Sequence, residues 1–101
     1  MVFDKDDIEN ILKSTPVNQE LVDFFALQEL VIVVDIFSEV LIKVEKNNQQ
    51  NQDFDKWQNQ VAQEVTKELK SSEMFFGIKD LADKLDIAGF LKAFYQLYYK
   101  Q

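Results

Sequence analysis

The sequence predicts an all-α fold: a compact bundle of four or five helices around one long apolar helix, about Pro16–Lys46, in a single domain spanning 1–101. Three observations carry that expectation. Apolar residues recur at helical spacing along nearly the whole chain, not in alternation. Only two Gly and one Pro occur, too few for an all-β protein, which turns roughly every 8–12 residues. Hydrophobic residues make up 47 % of the chain, with nine Phe, three Tyr and one Trp. That is enough for one core without disulfide or metal support.

Asp4 reads as the N-cap of a first helix, with Asp7 in the first turn where a carboxylate suits the positive helix end. Ile8, Ile11 and Leu12 give this helix one apolar face before it ends near Ser14. Thr15-Pro16 then supplies a cap and a Pro at the first helical position. Beyond Pro16 no Gly or Pro intervenes before Lys46, so a single helix of roughly 45 Å is expected at about 1.5 Å per residue. Gln28, Asp35, Glu39, Lys43 and Lys46 form its narrow polar stripe, and apolar side chains from Leu21 to Val44 cover most of the rest. Such a helix must be sheltered on several sides. The Val31–Val34 run has β-branched character, but no turn signal flanks it and no second strand is available to pair with it.

The tract Asn47-Asn48-Gln49-Gln50-Asn51-Gln52 is the expected loop. Asp53 caps the next helix, whose single stripe is Phe54, Trp57, Val61, Val65 and Leu69. Its end frays between Ser71-Ser72 and Gly77, around Met74-Phe75-Phe76. Ile78, Leu81, Ala82 and Leu85 share one face, whereas Phe90, Leu91, Phe94, Tyr95, Leu97, Tyr98 and Tyr99 share another. The two faces do not line up on one straight helix. A break near Asp86-Ile87-Ala88-Gly89 follows, with Asp86 capping the terminal helix.

The chemistry of the chain is defined by what it lacks: it has no arginine, histidine or cysteine. Those absences remove bidentate phosphate recognition, the commonest general base, the strongest nucleophile and the usual transition-metal ligands. With two glycines there is no phosphate-cradling loop and no nucleophile elbow. Asp35, set inside an apolar run, is the one carboxylate that burial would suit for acid catalysis. It shares the polar stripe with Glu39, Lys43 and Lys46, which argues for a solvated or lysine-paired group. The Asp4, Asp6, Asp7 and Asp80, Asp83, Asp86 clusters lack the Gly-centred calcium loop ending in Glu. No catalysis, cofactor or metal is expected.

The Phe24–Val44 stretch is interrupted by Glu29, Asp35, Glu39 and Lys43, each costing about 2.5–3.5 kcal/mol near a bilayer centre. No membrane association is expected, and the acidic start of the chain, without an apolar run, points to the cytoplasm. The 18 carboxylates and 11 lysines leave a net charge of −7, which repels nucleic acid and favours basic partners.

Ile78–Ile87 resembles the first helix and turn of a DNA-binding helix-turn-helix, including the Leu81-Ala82 pair. The pattern then departs: Asp86 stands where a turn Gly is usual, and Lys92 where the second helix buries an aliphatic. The would-be recognition helix offers only Lys92 and Lys100 as cations.

The leading expectation is therefore a small acidic interaction module that binds a protein partner or itself, as a homodimer, through apolar and aromatic helix faces. Its expected anchors are Phe75, Phe76, Phe90, Phe94, Tyr95, Tyr98 and Tyr99, because the terminal helix is apolar over a wider arc than its own packing needs. A second reading makes the acidity itself functional, in an inhibitor or immunity-type protein capping a basic toxin, nuclease or nucleic-acid-binding surface. A third is a helix-turn-helix regulator built on Ile78–Gln101. No nucleic-acid partner is expected on the first reading.

Overall fold

A computed structural model describes residues 4–47 and 53–99. Among the described residues six α-helices follow one another: α1 (Lys5–Ser14), α2 (Pro16–Val22), α3 (Leu27–Asn47), α4 (Phe54–Ser71), α5 (Leu81–Lys84) and α6 (Ile87–Tyr98). A 3₁₀ turn, Glu73–Phe75, links α4 to the α5 region. There is no strand among the described residues, and the fold is all-α as the apolar spacing requires. The expected loop at 48–52 lies outside the described residues. No helix among the described residues is long and apolar enough to cross a membrane.

The helix starts follow from local chemistry. The Asp4 carboxylate accepts from the Asp7 N–H at 2.9 Å, and the Asp7 carboxylate accepts from the Asp4 N–H, closing a reciprocal capping box. Pro16 opens α2 after Thr15, although the Thr15 hydroxyl makes no capping bond. Asp53 accepts from the Lys56 N–H at 2.9 Å to start α4. Asp86 does the same for Gly89 at 2.9 Å, so α6 begins where the two apolar faces demanded a break.

The expected continuous helix from Pro16 to Lys46 is divided. After Val22 the chain tightens: Phe24 donates to the Leu21 carbonyl and Phe25 to the Val22 carbonyl, both at 3.0 Å. The helix restarts as α3 when Leu30 donates to the Ala26 carbonyl. Glu29 reaches back to the Ala26 N–H at 3.3 Å, half of a capping box with no side-chain cap opposite it. Two tertiary demands account for the bend. α2 folds back against α1, and Asn18, fully buried, exchanges two hydrogen bonds with the Asp86 backbone.

The central helix is thus α3, packed chiefly on α4 and also on α1. Its Val33, Val34, Phe37, Val40, Leu41 and Val44 meet Ile8 and Leu12 of α1, Trp57, Val61, Val65 and Leu69 of α4, and Phe90, Leu91 and Phe94 of α6 in one core. Of the α4 stripe, Trp57, Val61, Val65 and Leu69 are buried and Phe54 is half-buried. Two ion pairs tie the outer edges: Lys5 with Asp35 at 2.6 Å and Lys43 with Glu64 at 3.4 Å. Asp35 is therefore a lysine-paired group at the edge of α3, and Lys5 is held above the usual lysine range by that hydrogen bond and charge.

Candidate interaction surface

The seven aromatic rings expected to anchor a partner divide into three groups. Phe90 and Phe94 are fully buried, and no partner reaches them without unfolding the domain. Phe90 packs on Phe37 of α3 with ring centres 4.4 Å apart. Phe94 lies nearly parallel to Trp57 at 6.1 Å. Tyr95, Tyr98 and Tyr99 form a rim around them. Tyr95 meets Phe54 edge-on at 4.8 Å and Trp57 at 5.6 Å, while Tyr99 meets Trp57 at 5.6 Å and stacks on Tyr95 at 5.3 Å. Tyr98 packs on Phe94 at 4.6 Å. Aromatic pairs add about 0.5–1.5 kcal/mol each beyond area burial, so most of the α6 apolar arc packs inside one protomer, while Leu97 and Tyr99 stay exposed.

The rim tyrosines record this environment. Burial raises the Tyr98 phenol above the usual tyrosine range, helped by its hydrogen bond to Asp7. Tyr99 is pushed up to about 12, first by burial and then by the negative charge of Glu45. Both groups stay neutral at ordinary pH, and each ring keeps a polar tip at an apolar edge.

Phe75 and Phe76 are elsewhere. Neither makes a ring contact with the α6 cluster among the described residues. Phe75 is exposed, Phe76 is half-buried, and Met74 beside them is exposed as well. Of the expected anchors, then, Phe75 and Tyr99 are exposed, and Phe75 more fully.

A larger apolar exposure lies where the chain leaves α2 and enters α3. Phe24 is 78 % exposed and Leu27 79 %, and Val31 is also exposed. Leu27 and Val31 stand four residues apart on one face of α3, next to the polar Gln28, Glu39 and Lys43. Sequence periodicity could not single them out. In a helix apolar almost all round, nothing marks which part of the circumference lacks a neighbour.

Beside this elbow runs an open groove of about 510 Å³, lined by Leu21, Phe24, Gly77, Ile78, Lys79 and Lys84. Its two walls are joined by Glu29, whose carboxylate accepts from the Gly77 N–H at 3.0 Å while also holding Ala26. The chain enters α5 through Asp80 in the left-handed region (φ 56°), a conformation that Asp tolerates better than most residues. Asp80, Asp83 and Glu73 line a separate, smaller hollow with Leu69 and Lys70. No group of three or more Asp or Glu among the described residues is arranged to hold a metal ion.

Comparison of the chain with protein-family models, with curated proteins and with solved structures returns no match.

Proposed function

We propose that this protein is a small, non-catalytic interaction module of the cytoplasm that docks a protein partner through the α2–α3 elbow. The observation that carries the reading is the near-complete exposure of Phe24 and Leu27 on a domain whose other large rings are mostly packed. Large apolar side chains grouped on a surface and rimmed by polar residues are a feature of docking sites.

Magnitudes shape the proposal. Covering an exposed Phe or Leu contributes about 1.5–3 kcal/mol, and association costs at least about 4 kcal/mol in lost rotational and translational freedom. Phe24 and Leu27 together barely offset that cost. The partner must therefore also cover Val31 and Ile78, which continue the same face and the adjoining groove. Glu20, Asp23 and Glu29 nearby leave an acidic border that discourages acidic surfaces from approaching broadside.

Native affinity capture with the parent chain and with a Phe24→Ser/Leu27→Ser variant tests the reading. Both positions are exposed, so the variant is expected to keep its helical circular dichroism spectrum. The expected result is one or more proteins retained by the parent and absent from the variant. Identical capture by the two would remove the elbow as the docking face.

A further inference from the structure

Charge is distributed unevenly around α5. Lys79 and Lys84 line the groove beside the elbow, whereas Asp80 and Asp83 line the hollow on its other side. The groove's lining side chains include no carboxylate, in a chain where carboxylates outnumber lysines 18 to 11, and the Glu29 carboxylate at its Gly77 edge is engaged by backbone amides. Neither Lys79 nor Lys84 makes an ion pair or hydrogen bond among the described residues. Glu29, at the Gly77 end, already accepts from two backbone amides.

We propose that this groove binds a peptide segment of a protein partner in which apolar side chains are flanked by Asp or Glu. The inference deepens the interaction reading and rests on it. Leu21, Phe24 and Ile78 supply apolar surface for the segment's side chains, and Lys79 and Lys84 meet its carboxylates. An acidic protein gains selectivity this way, because its overall field repels acidic surfaces that lack the apolar insert. A nucleic-acid backbone is a poor occupant: two lysines release few counterions, and the remaining charge of the chain opposes approach.

The test is panning a displayed library of short random peptides on the immobilised full chain. Recovered sequences are then titrated against the parent, Lys79→Glu/Lys84→Glu, and Phe24→Ser/Leu27→Ser. The expected result is enrichment of acidic–apolar peptides that bind both variants at least roughly tenfold more weakly. Neutral or basic peptides that lose binding only to the Phe24/Leu27 variant would overturn this inference and leave the docking reading intact. Peptides indifferent to both variants, or no enrichment, would overturn both. A dimer mass by light scattering that Lys79→Glu/Lys84→Glu reduces to monomer would assign the groove to a second copy and overturn the peptide segment. Binding of a duplex oligonucleotide that the same lysine variant abolishes would overturn it too.

Discussion

Asn18 and Ser38 are both buried polar side chains, and they make opposite contributions. The Asn18 amide donates to the Asp86 carbonyl at 3.0 Å and accepts from the Asp86 N–H at 2.8 Å, across 68 positions of chain. Asn18→Ala removes both bonds and leaves two backbone groups without partners, at a cost of about 2–3 kcal/mol. The Ser38 hydroxyl, by contrast, is buried with no hydrogen-bond partner among the described residues, so Ser38→Ala is expected to gain up to about 1 kcal/mol. Urea unfolding of the two variants checks the pair; a loss at both positions would contradict the account of Ser38. The tyrosines supply a pH test at the same scale. A tyrosine that ionises near 10 when unfolded and near 12 at Tyr99 when folded binds its proton more tightly in the native state. Its contribution to stability is complete below pH 10 and falls as the pH rises toward 12. Absorbance titration of tyrosinate should show Tyr98 and Tyr99 ionising later than an ordinary tyrosine, and Tyr99→Phe should flatten the stability loss in that window. A Tyr99→Phe profile unchanged from the parent would contradict it.

The α6 start shows how elements were legible. Asp86 holds the Gly89 N–H, and a Cβ at Gly89 would come within 2.3 Å of the capping carboxylate. Replacing Gly by Ala in a helix ordinarily gains about 1 kcal/mol, but here the added methyl displaces a cap worth about 1 kcal/mol. Gly89→Ala is therefore expected to bring no increase in stability, and a clear rise in thermal midpoint would sink this explanation. Caps of this kind are local, which is why Asp4, Asp53 and Asp86 could be placed from the sequence, as could the α2 start at Pro16, where Thr15 makes no side-chain cap. The bend between α2 and α3 could not. It contains no Gly or Pro, its cap position is Ala26, and what fixes it is the distant Asn18–Asp86 pairing and the packing of α2 on α1. A tertiary contact between residues so far apart leaves no mark on periodicity.

For the whole molecule, one misplaced bend decides the candidate surface. With the chain bent between α2 and α3, Leu27 and Val31 of α3 are exposed and Phe24 is left on the outside. The α6 rings find their shelter internally, on Phe37, Phe54 and Trp57. The sequence pattern thus revealed an excess of apolar surface; of its expected anchors Phe75 and Tyr99 are exposed, and Phe24 and Leu27 are exposed residues that the pattern did not single out. Counting apolar arcs cannot separate rings that stack on one another from rings with nothing over them. The division of labour is open to direct measurement in the free protein. Phe94→Ala should cost about 3–5 kcal/mol by opening a core cavity, which gives the scale for comparison. The deciding measurement is the urea unfolding free energy of Phe24→Ser/Leu27→Ser against the parent chain. Side chains that serve recognition and not folding predict a difference within about 0.5 kcal/mol. A loss approaching that of Phe94→Ala would place Phe24 and Leu27 in the core, and the elbow would no longer be a docking face.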